Sequence, residues 1–329
     1  MSRPRVSVVL PVRDEERHLA ECLESLSAQT LSDFEVIVVD DGSSDASAAI
    51  AEEHARRDPR FRIVRQPPAG MVAASERARA EARAPLLARM DADDVALPER
   101  LELQAAAIED EGLAAVGGQV EYFPDPTDGM HAYADWLNSL VTVDAAVRDL
   151  WVECPLPGPG LTARAELVSY RDRGWPEDYD LVLRIWEGGG RFRNVDRLVH
   201  RWRDHAERLT RTQPAYTLDA FRRCKVHFLR RTLLARGRDA VVWGAGPTGK
   251  AFARELLAAG TRVMAFVEVD PRKLGKRIHG APVVPVEQAG DFPGTLAVGA
   301  VSGPEGRARL RELADGLGLV QGRDFIAVS

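Results

Sequence analysis

Leu86-Leu87-Ala88-Arg89-Met90-Asp91-Ala92-Asp93-Asp94-Val95-Ala96-Leu97-Pro98 is the stretch on which the fold turns. An apolar run ends in three carboxylates within four positions, and Pro98 opens a helical pattern at Glu99-Arg100-Leu101. The run reads as a buried strand that aims an acidic cluster into a loop. On an extended chain Asp91 and Asp93 point the same way. Two carboxylates a few ångströms apart repel by about 1 kcal/mol in water and several-fold more near a protein surface. A divalent cation such as Mg²⁺ or Mn²⁺ relieves that repulsion and prefers oxygen ligands. A solvated acidic turn, with Asp94 near the N-cap of the next helix, accounts for the same residues. The strand-end position favours a site, because ligands of α/β sheets gather at the carboxyl ends of strands.

Working outward, strands and helices alternate. Val6 to Val12 reads as a strand, followed by a helix from Glu15 with Leu19, Cys22, Leu23 and Leu26 on one face. Phe34 to Val39 is the next strand and runs into Asp40-Asp41-Gly42-Ser43-Ser44-Asp45, a turn and helix cap. Further strands are expected at Phe61–Val64, Leu86–Met90 and around Ala114–Gly118, with a helix carrying Leu101, Ala105 and Ile108. Such alternation predicts a doubly wound, mostly parallel sheet.

At 329 residues, 45% of them hydrophobic, the chain has room for two domains with their own cores. A net charge of −6 argues against nucleic acid as the main partner. Cys22, Cys154 and Cys224 are too scattered for a disulfide framework or a zinc site, which fits a reducing cytoplasm. The first apolar run is too short for a signal peptide, and no stretch approaches the length of a membrane span.

Four pieces in order resemble glycosyltransferase family 2: Ser7 to Val12, Val36 to Asp45, Arg89 to Asp94, and Trp175-Pro176-Glu177-Asp178-Tyr179-Asp180 to Arg184 with Gly188-Gly189. The resemblance covers residues 1–212. It implies a GT-A fold, a nucleotide-sugar donor of UDP type, a Mn²⁺ or Mg²⁺ ion, and inversion at the anomeric carbon. By position it implies that Pro11, Arg13 and Glu15 flank the nucleotide and that Asp41 hydrogen-bonds the base. Arg89, Asp91, Glu177 and Arg203 would also line the donor. Asp91 and Asp93 would hold the metal, with His205 as a third ligand, and Asp178 would be the general base. The metal would neutralise the departing diphosphate, so one carboxylate suffices for inversion by transfer. Helix-dipole stabilisation accounts for acids at Glu177-Asp178 without catalysis, and a solvated strand end accounts for Arg203 and His205. The chain departs from common family patterns at Arg13-Asp14, Pro67-Pro68-Ala69-Gly70, Glu76 and Ser169–Arg173.

The implied acceptor is a saccharide or a lipid-linked sugar, in polysaccharide or glycolipid synthesis. Tyr133, Trp136 and Trp151 are candidates to stack on it, or are core. Tyr122 to Pro126 reads as a strand leaving the core, and the Cys154–Gly160 segment as the stiff border of a cleft. Residues 213–238 read as a basic helical linker. The stretch 221–236 would touch an anionic membrane surface, or pack as a linker helix.

Residues 239–329 form a second unit by pattern. Ala240 to Trp243 is a strand leading into Gly244-Ala245-Gly246-Pro247-Thr248-Gly249, then a helix, then the strand Val263–Val267 with Glu268 and Asp270 after it. This is G-x-G-x-x-G in the strand–turn–helix setting that its phosphate-binding mechanism needs. The unit resembles the small Rossmann-like domain of some sugar acyltransferases and sugar-nucleotide dehydratases. That implies a nucleotide at Gly244, Gly246, Gly249 and Asp270, or a structural role. Two other readings of the whole chain stay open. One is a catalytically inactive nucleotide-sugar sensor, against which the intact Asp91, Asp93 and Asp178 speak. The other is a nucleotidyltransferase, which would favour a Gly-rich basic loop where Val12-Arg13-Asp14-Glu15 stands.

Overall fold

The computed structural model describes residues 3–329; Met1 and Ser2, where the first expected domain starts, lie outside the described residues. The chain forms two compact units. The first comprises residues up to Ala146, Cys154–Arg173 and Glu177–Thr212. The second comprises Val147–Glu153, Gly174–Pro176 and Gln213–Ser329.

In chain order the elements up to residue 212 are β1 (Val6–Val12), α1 (Leu19–Ser27), β2 (Phe34–Asp40), α2 (Ser47–Arg57), β3 (Phe61–Arg65), α3 (Met71–Glu81), β4 (Leu86–Arg89) and β5 (Val95–Ala96). There follow α4 (Arg100–Glu111), β6 (Ala115–Phe123), α5 (Asp128–Asn138), α6 (Val143–Asp149), β7 (Thr162–Arg164), α7 (Glu177–Glu187), β8 (Phe192–Arg203) and α8 (Leu209–Thr212). The first unit holds an eight-stranded sheet in the order β3-β2-β1-β4-β7-β6-β8-β5. From β3 to β4 all neighbours are parallel. β7 is antiparallel to β4 and to β6, and β6 and β8 are parallel. Every residue of β1 and β2 is buried, as expected of parallel strands covered on both faces. Leu19, Cys22, Leu23 and Leu26 of α1 pack into the same core as Val8, Leu10, Val36 and Val38.

The helix expected from Glu15 begins at Leu19 instead. The amides of Asp14, Glu15 and Glu16 are spent on Ser43 Oγ (3.1 Å), Ser47 Oγ (2.7 Å) and Asp45 Oδ2 (2.9 Å), which stitch the loop after β1 to the loop after β2. Helices α3 and α5 had no counterpart in the sequence reading. Ala92 and Asp93 form a turn rather than an extended strand, with Asp94 N donating to Asp91 O at 3.3 Å. Asp94 is no helix cap: Val95–Ala96 first pairs with β8, and Glu99 precedes α4.

The second unit contains α9 (Leu218–Arg231), β9 (Ala240–Trp243), α10 (Pro247–Ala258), β10 (Val263–Glu268), β11 (Arg277–Ile278), β12 (Ala281–Pro285), β13 (Leu296–Gly299), α11 (Pro304–Gly316) and β14 (Phe325–Ala327). Its sheet order is β11-β12-β10-β9-β13-β14. The five strands after the antiparallel β11 are parallel, so the order reverses between β9 and β13. The apolar side of α9 is closed: Cys224, Val226, Phe228 and Leu229 are buried. The exposed side of this helix, which covers the first part of 221–236, carries Arg223, His227, Arg230 and Arg231. Trp151 is 1% exposed, which rules out stacking on a sugar. Tyr133 and Trp136 pack on the small cluster of Val120, Ala134, Leu137 and Leu140. No helix among the described residues is long and apolar enough to cross a membrane.

Candidate active site

The acidic turn after β4 is held from below by β8. His200, fully buried, lies 2.9 Å from Asp94 Oδ2 through Nε2, and its Nδ1 is 3.2 Å from Arg100 Nη1. Arg100 can only donate, so Nδ1 accepts and Nε2–H donates to Asp94. Burial, then the nearby Arg100, drives the imidazole pKa well down, so His200 is neutral. Arg203 N donates to Asp94 Oδ1 (2.8 Å) and its Nε to Asp93 O (2.7 Å), while Nη2 pairs with Glu21. The guanidinium expected at a diphosphate thus shapes the acidic loop. Burial and the neighbouring Asp93 carboxylate raise the pKa of Asp94 well above its usual range. Asp91 is raised by burial too, against the pull of Arg89.

Asp93 Oδ2 lies 2.9 Å from His205 Nε2. This places an oxygen and a nitrogen donor side by side at the mouth of an acid cluster. Among the described residues no three His, Cys, Asp or Glu groups converge as a closed metal cage. Asp91, the other expected ligand, is 3.2 Å from Arg89 Nε. The donor set fits a hard cation that keeps one or two protein ligands and completes its shell with water and substrate phosphate.

α7 carries the expected base. Its first residue, Glu177, is paired with Arg89 Nη1, and the two side chains are 3% and 5% exposed. These residues, expected to line the donor, are paired with each other. The pair ties the end of β4 to the first turn of α7, one residue from Asp178. Asp178 is half-buried and accepts from Tyr179 N at 2.7 Å. A methyl at Gly158 would overlap Asp178 Oδ2, so the Gly158–Gly160 turn closes directly on this carboxylate. Arg89 also lies over the ring of Tyr170, 5.8 Å from its centroid.

The expected nucleotide side is the carboxyl end of β1 and β2. Pro11 is buried within β1. Asp41 is 2% exposed. It accepts from Gln66 Nε2 (2.7 Å), Ala69 N (2.8 Å) and Gly70 N (2.8 Å), which fold the Pro67–Gly70 loop over it. Arg13 is exposed and lies 3.8 Å from Asp41 Oδ2. Glu15 contacts His18 Nδ1, and burial raises its pKa. Asp14, Glu15, Glu16, Arg17, His18, Asp45, His205 and Glu207 line one cavity, so the β1 loop and the end of β8 share a cleft.

The sequence reading gave no role to Arg100, Gln104 or His200, and had Gly158 only as part of the stiff Cys154–Gly160 border of a cleft. Arg100 and Gln104 looked like ordinary turns of α4, and only the fold brings them under the acidic loop. A signal existed for Gly158, which sits in a Pro-Gly-Pro-Gly run too stiff for a plain surface loop.

In the second unit Gly244 adopts φ +108° and lies against Ala300 and Val301. A methyl at Gly249 would overlap the carbonyl oxygen of Gly244, so α10 approaches the turn too closely for any side chain, whereas Gly246 faces open space. The acid that hydrogen-bonds the glycine turn is Glu268, two residues before Asp270, the one expected at a nucleotide. Glu268 accepts from Ala245 N (3.0 Å), Val269 N (2.9 Å), Asp270 N (3.1 Å) and Lys273 Nζ (2.8 Å). Asp270 turns outward onto Arg272. The last residue of β10 reaches the glycine turn, and two residues later the chain has already left it.

The family described as Glycosyl transferase family 2 matches residues 7–156. The putative glycosyltransferase EpsH of Bacillus subtilis is 39% identical over 125 residues, 38% of this chain and 36% of that protein. The chain therefore aligns with only about a third of that relative. EpsE of the same organism, also a putative glycosyltransferase, is 28% identical over 239 residues, 66% of this chain and 80% of that one. Among solved structures, S. aureus TarS 1–349 in complex with UDP-GlcNAc superposes with a TM-score of 0.57 at 17% identity, covering 77% of this chain and 71% of that one. The mannosyltransferase PcManGT from Pyrobaculum calidifontis, in complex with GDP-Man and Mn²⁺, gives 0.51 at 20% identity over 79% and 76%. Residues 7–156 thus match glycosyl transferase family 2, and the first unit has the GT-A fold.

Proposed function

We propose that the chain transfers a sugar, with inversion, from a nucleoside-diphosphate donor to an acceptor hydroxyl. The observation that carries this reading is the buried Arg89–Glu177 pair. It ties the end of β4 to the first turn of α7, and in this reading Asp91, Asp93 and Asp178 would face one site. Asp178 takes the proton of the acceptor hydroxyl as that oxygen attacks the anomeric carbon opposite the diphosphate. The bond from that carbon to the diphosphate oxygen breaks as the new one forms. Asp93 and His205 would hold Mn²⁺ or Mg²⁺, which when bound offsets the charge growing on the leaving diphosphate. Asp91, set between Arg89 and Asp93, would face the ribose and the same cation. Likeness to a protein crystallised with UDP-GlcNAc supports a UDP-type donor. The acceptor would be a saccharide or lipid-linked sugar met at the cytoplasmic membrane surface, with Arg223, Arg230 and Arg231 of α9 supplying an electrostatic rather than apolar contact. In the second unit, residues 239–329 would serve as a Rossmann-like module whose glycine turn is capped by Glu268.

The test is calorimetry of UDP, GDP, dTDP and CDP, each with and without Mn²⁺. One nucleotide should bind at least about tenfold more tightly with the ion. Asp178→Asn should then cut transfer by about 10²–10⁴ while leaving nucleotide binding intact. Loss of binding in that variant would make Asp178 structural. Binding that ignores the ion, with no transfer from any donor, would favour the sensor reading instead.

A further inference from the structure

Arg100, in the first turn of α4, is 0% exposed. Its Nη2 donates to the carbonyl oxygens of Arg89 and of Pro159, the latter at 3.0 Å. Its Nη1 donates to His200 Nδ1 (3.2 Å) and its Nε to Gln104 Oε1 (3.3 Å). Nη1 also lies 3.1 Å from Met90 Sδ, so the acceptors are carbonyl, amide, imidazole and thioether atoms rather than a carboxylate. A cation buried in this way is costly unless every donor finds a partner. Burial lowers its pKa to about 10, which leaves it charged at neutral pH.

The groups it joins are those the proposed reaction needs in register. Arg89 O precedes Met90-Asp91. His200 holds Asp94. Pro159 lies in the turn that closes on Asp178. Gln104, one helical turn on, extends the clamp: it donates to Gly160 O (2.7 Å) and accepts from Thr162 Oγ1 (2.7 Å). The end of β4 has other supports, because Arg89 N bonds Leu161 O (2.8 Å) and Met90 N bonds Val9 O (3.0 Å). The Gly158–Gly160 turn leans on Arg100 and Gln104.

We propose that Arg100 is a positioning residue: it fixes the Pro157–Gly160 turn, and through Gly158 the Asp178 carboxylate, in register with the acidic loop. This rests on the transferase reading of Asp91, Asp93 and Asp178. An ammonium cannot span two carbonyls and an imidazole in the geometry of a guanidinium fork, so Arg100→Lys is the informative variant. Gly158→Ala perturbs the same wall without touching the clamp.

Both variants are made alone and with Asp178→Asn, in the full chain. Amide exchange at Gly160 and Leu161 is measured together with thermal melting, calorimetry of UDP with Mn²⁺, and UDP release from UDP-GlcNAc. Arg100→Lys should raise exchange at those two amides about tenfold. It should lower turnover about 10–100-fold, with the donor KM within about threefold. Gly158→Ala should lower turnover alike with wild-type melting. In the Asp178→Asn background neither should reduce turnover further, because a misplaced base and an absent base fail in the same way. Unchanged exchange in Arg100→Lys overturns the proposal, and that arm needs no donor. Equal fractional losses with and without Asp178 also overturn it, since they indicate general destabilisation. If Asp178→Asn alone keeps full turnover, the base reading falls, while the exchange arm still decides whether Arg100 holds the turn.

Discussion

Glu177→Ala is the substitution whose cost follows most directly from the structure. The Arg89–Glu177 pair is buried at 5% and 3% exposure. Removing one partner of such a pair costs about 3–5 kcal/mol, because the other charge stays in a poor solvent. Arg89 keeps Asp91 at 3.2 Å, and the Asp91 side chain is 33% exposed, so the lower end applies, about 3 kcal/mol. For a unit of this size that is a fall of roughly 6–12 °C in Tm. Glu177→Gln keeps an oxygen acceptor and should lose about half as much. Arg89→Met with Glu177→Leu removes both charges and should be more stable than Glu177→Ala alone. Urea unfolding of the full chain, followed by circular dichroism, measures all three. A Glu177→Ala curve within about 0.5 kcal/mol of wild type, or a double variant less stable than Glu177→Ala, would refute the argument.

Other outcomes follow from the same geometry. His205→Ala should weaken Mn²⁺-dependent nucleotide binding about tenfold and leave metal-free binding alone, as read by calorimetry with UDP. Asp58 is held down to about 2, first by its hydrogen bonds to Arg60. A depressed carboxylate stabilises the fold above its unfolded pKa of about 3.9 and loses that contribution as pH falls through its folded value. Asp58→Asn should therefore be less stable than wild type at pH 7, and the gap should close between pH 4 and 2 in urea titrations. Gly249→Ala should destabilise the second unit by about 2–3 kcal/mol, since the methyl meets backbone. Gly246→Ala, at φ −81° in open space, should be neutral or slightly stabilising in the same melts. Equal effects at the two positions would contradict the close approach of α10.

Periodicity was enough to find β1, β2, β4, α4 and the β9–α10 turn, because each is a local pattern of apolar residues ended by Gly, Pro or acids. It overran at α1, where side chains from the loop after β2 capture the first amides of the expected helix. It also missed α3, whose few buried residues are Ala74, Ser75 and Ala78; such small residues give hardly any amphipathic signal. Glu268 and Asp270 could not be ranked from spacing alone, because a difference of two residues at a strand end decides which carboxylate meets the turn.

What the sequence by itself determined is the kind of chemistry on offer: acids at strand ends, a basic strand rich in rings, a glycine turn opening a helix. Those depend on residue type and near neighbours, and a chain carries them wherever it folds. Which partner each acid meets was decided by tertiary structure. Asp41, Arg89, Glu177 and Arg203 resemble ligand contacts in the sequence, and partners 25 or more residues away hold each of them. Asp93 and His205 come together only because the fold brings the loop after β4 beside the end of β8. A buried charge must find its partner wherever the fold supplies one, and that choice is not written in local sequence.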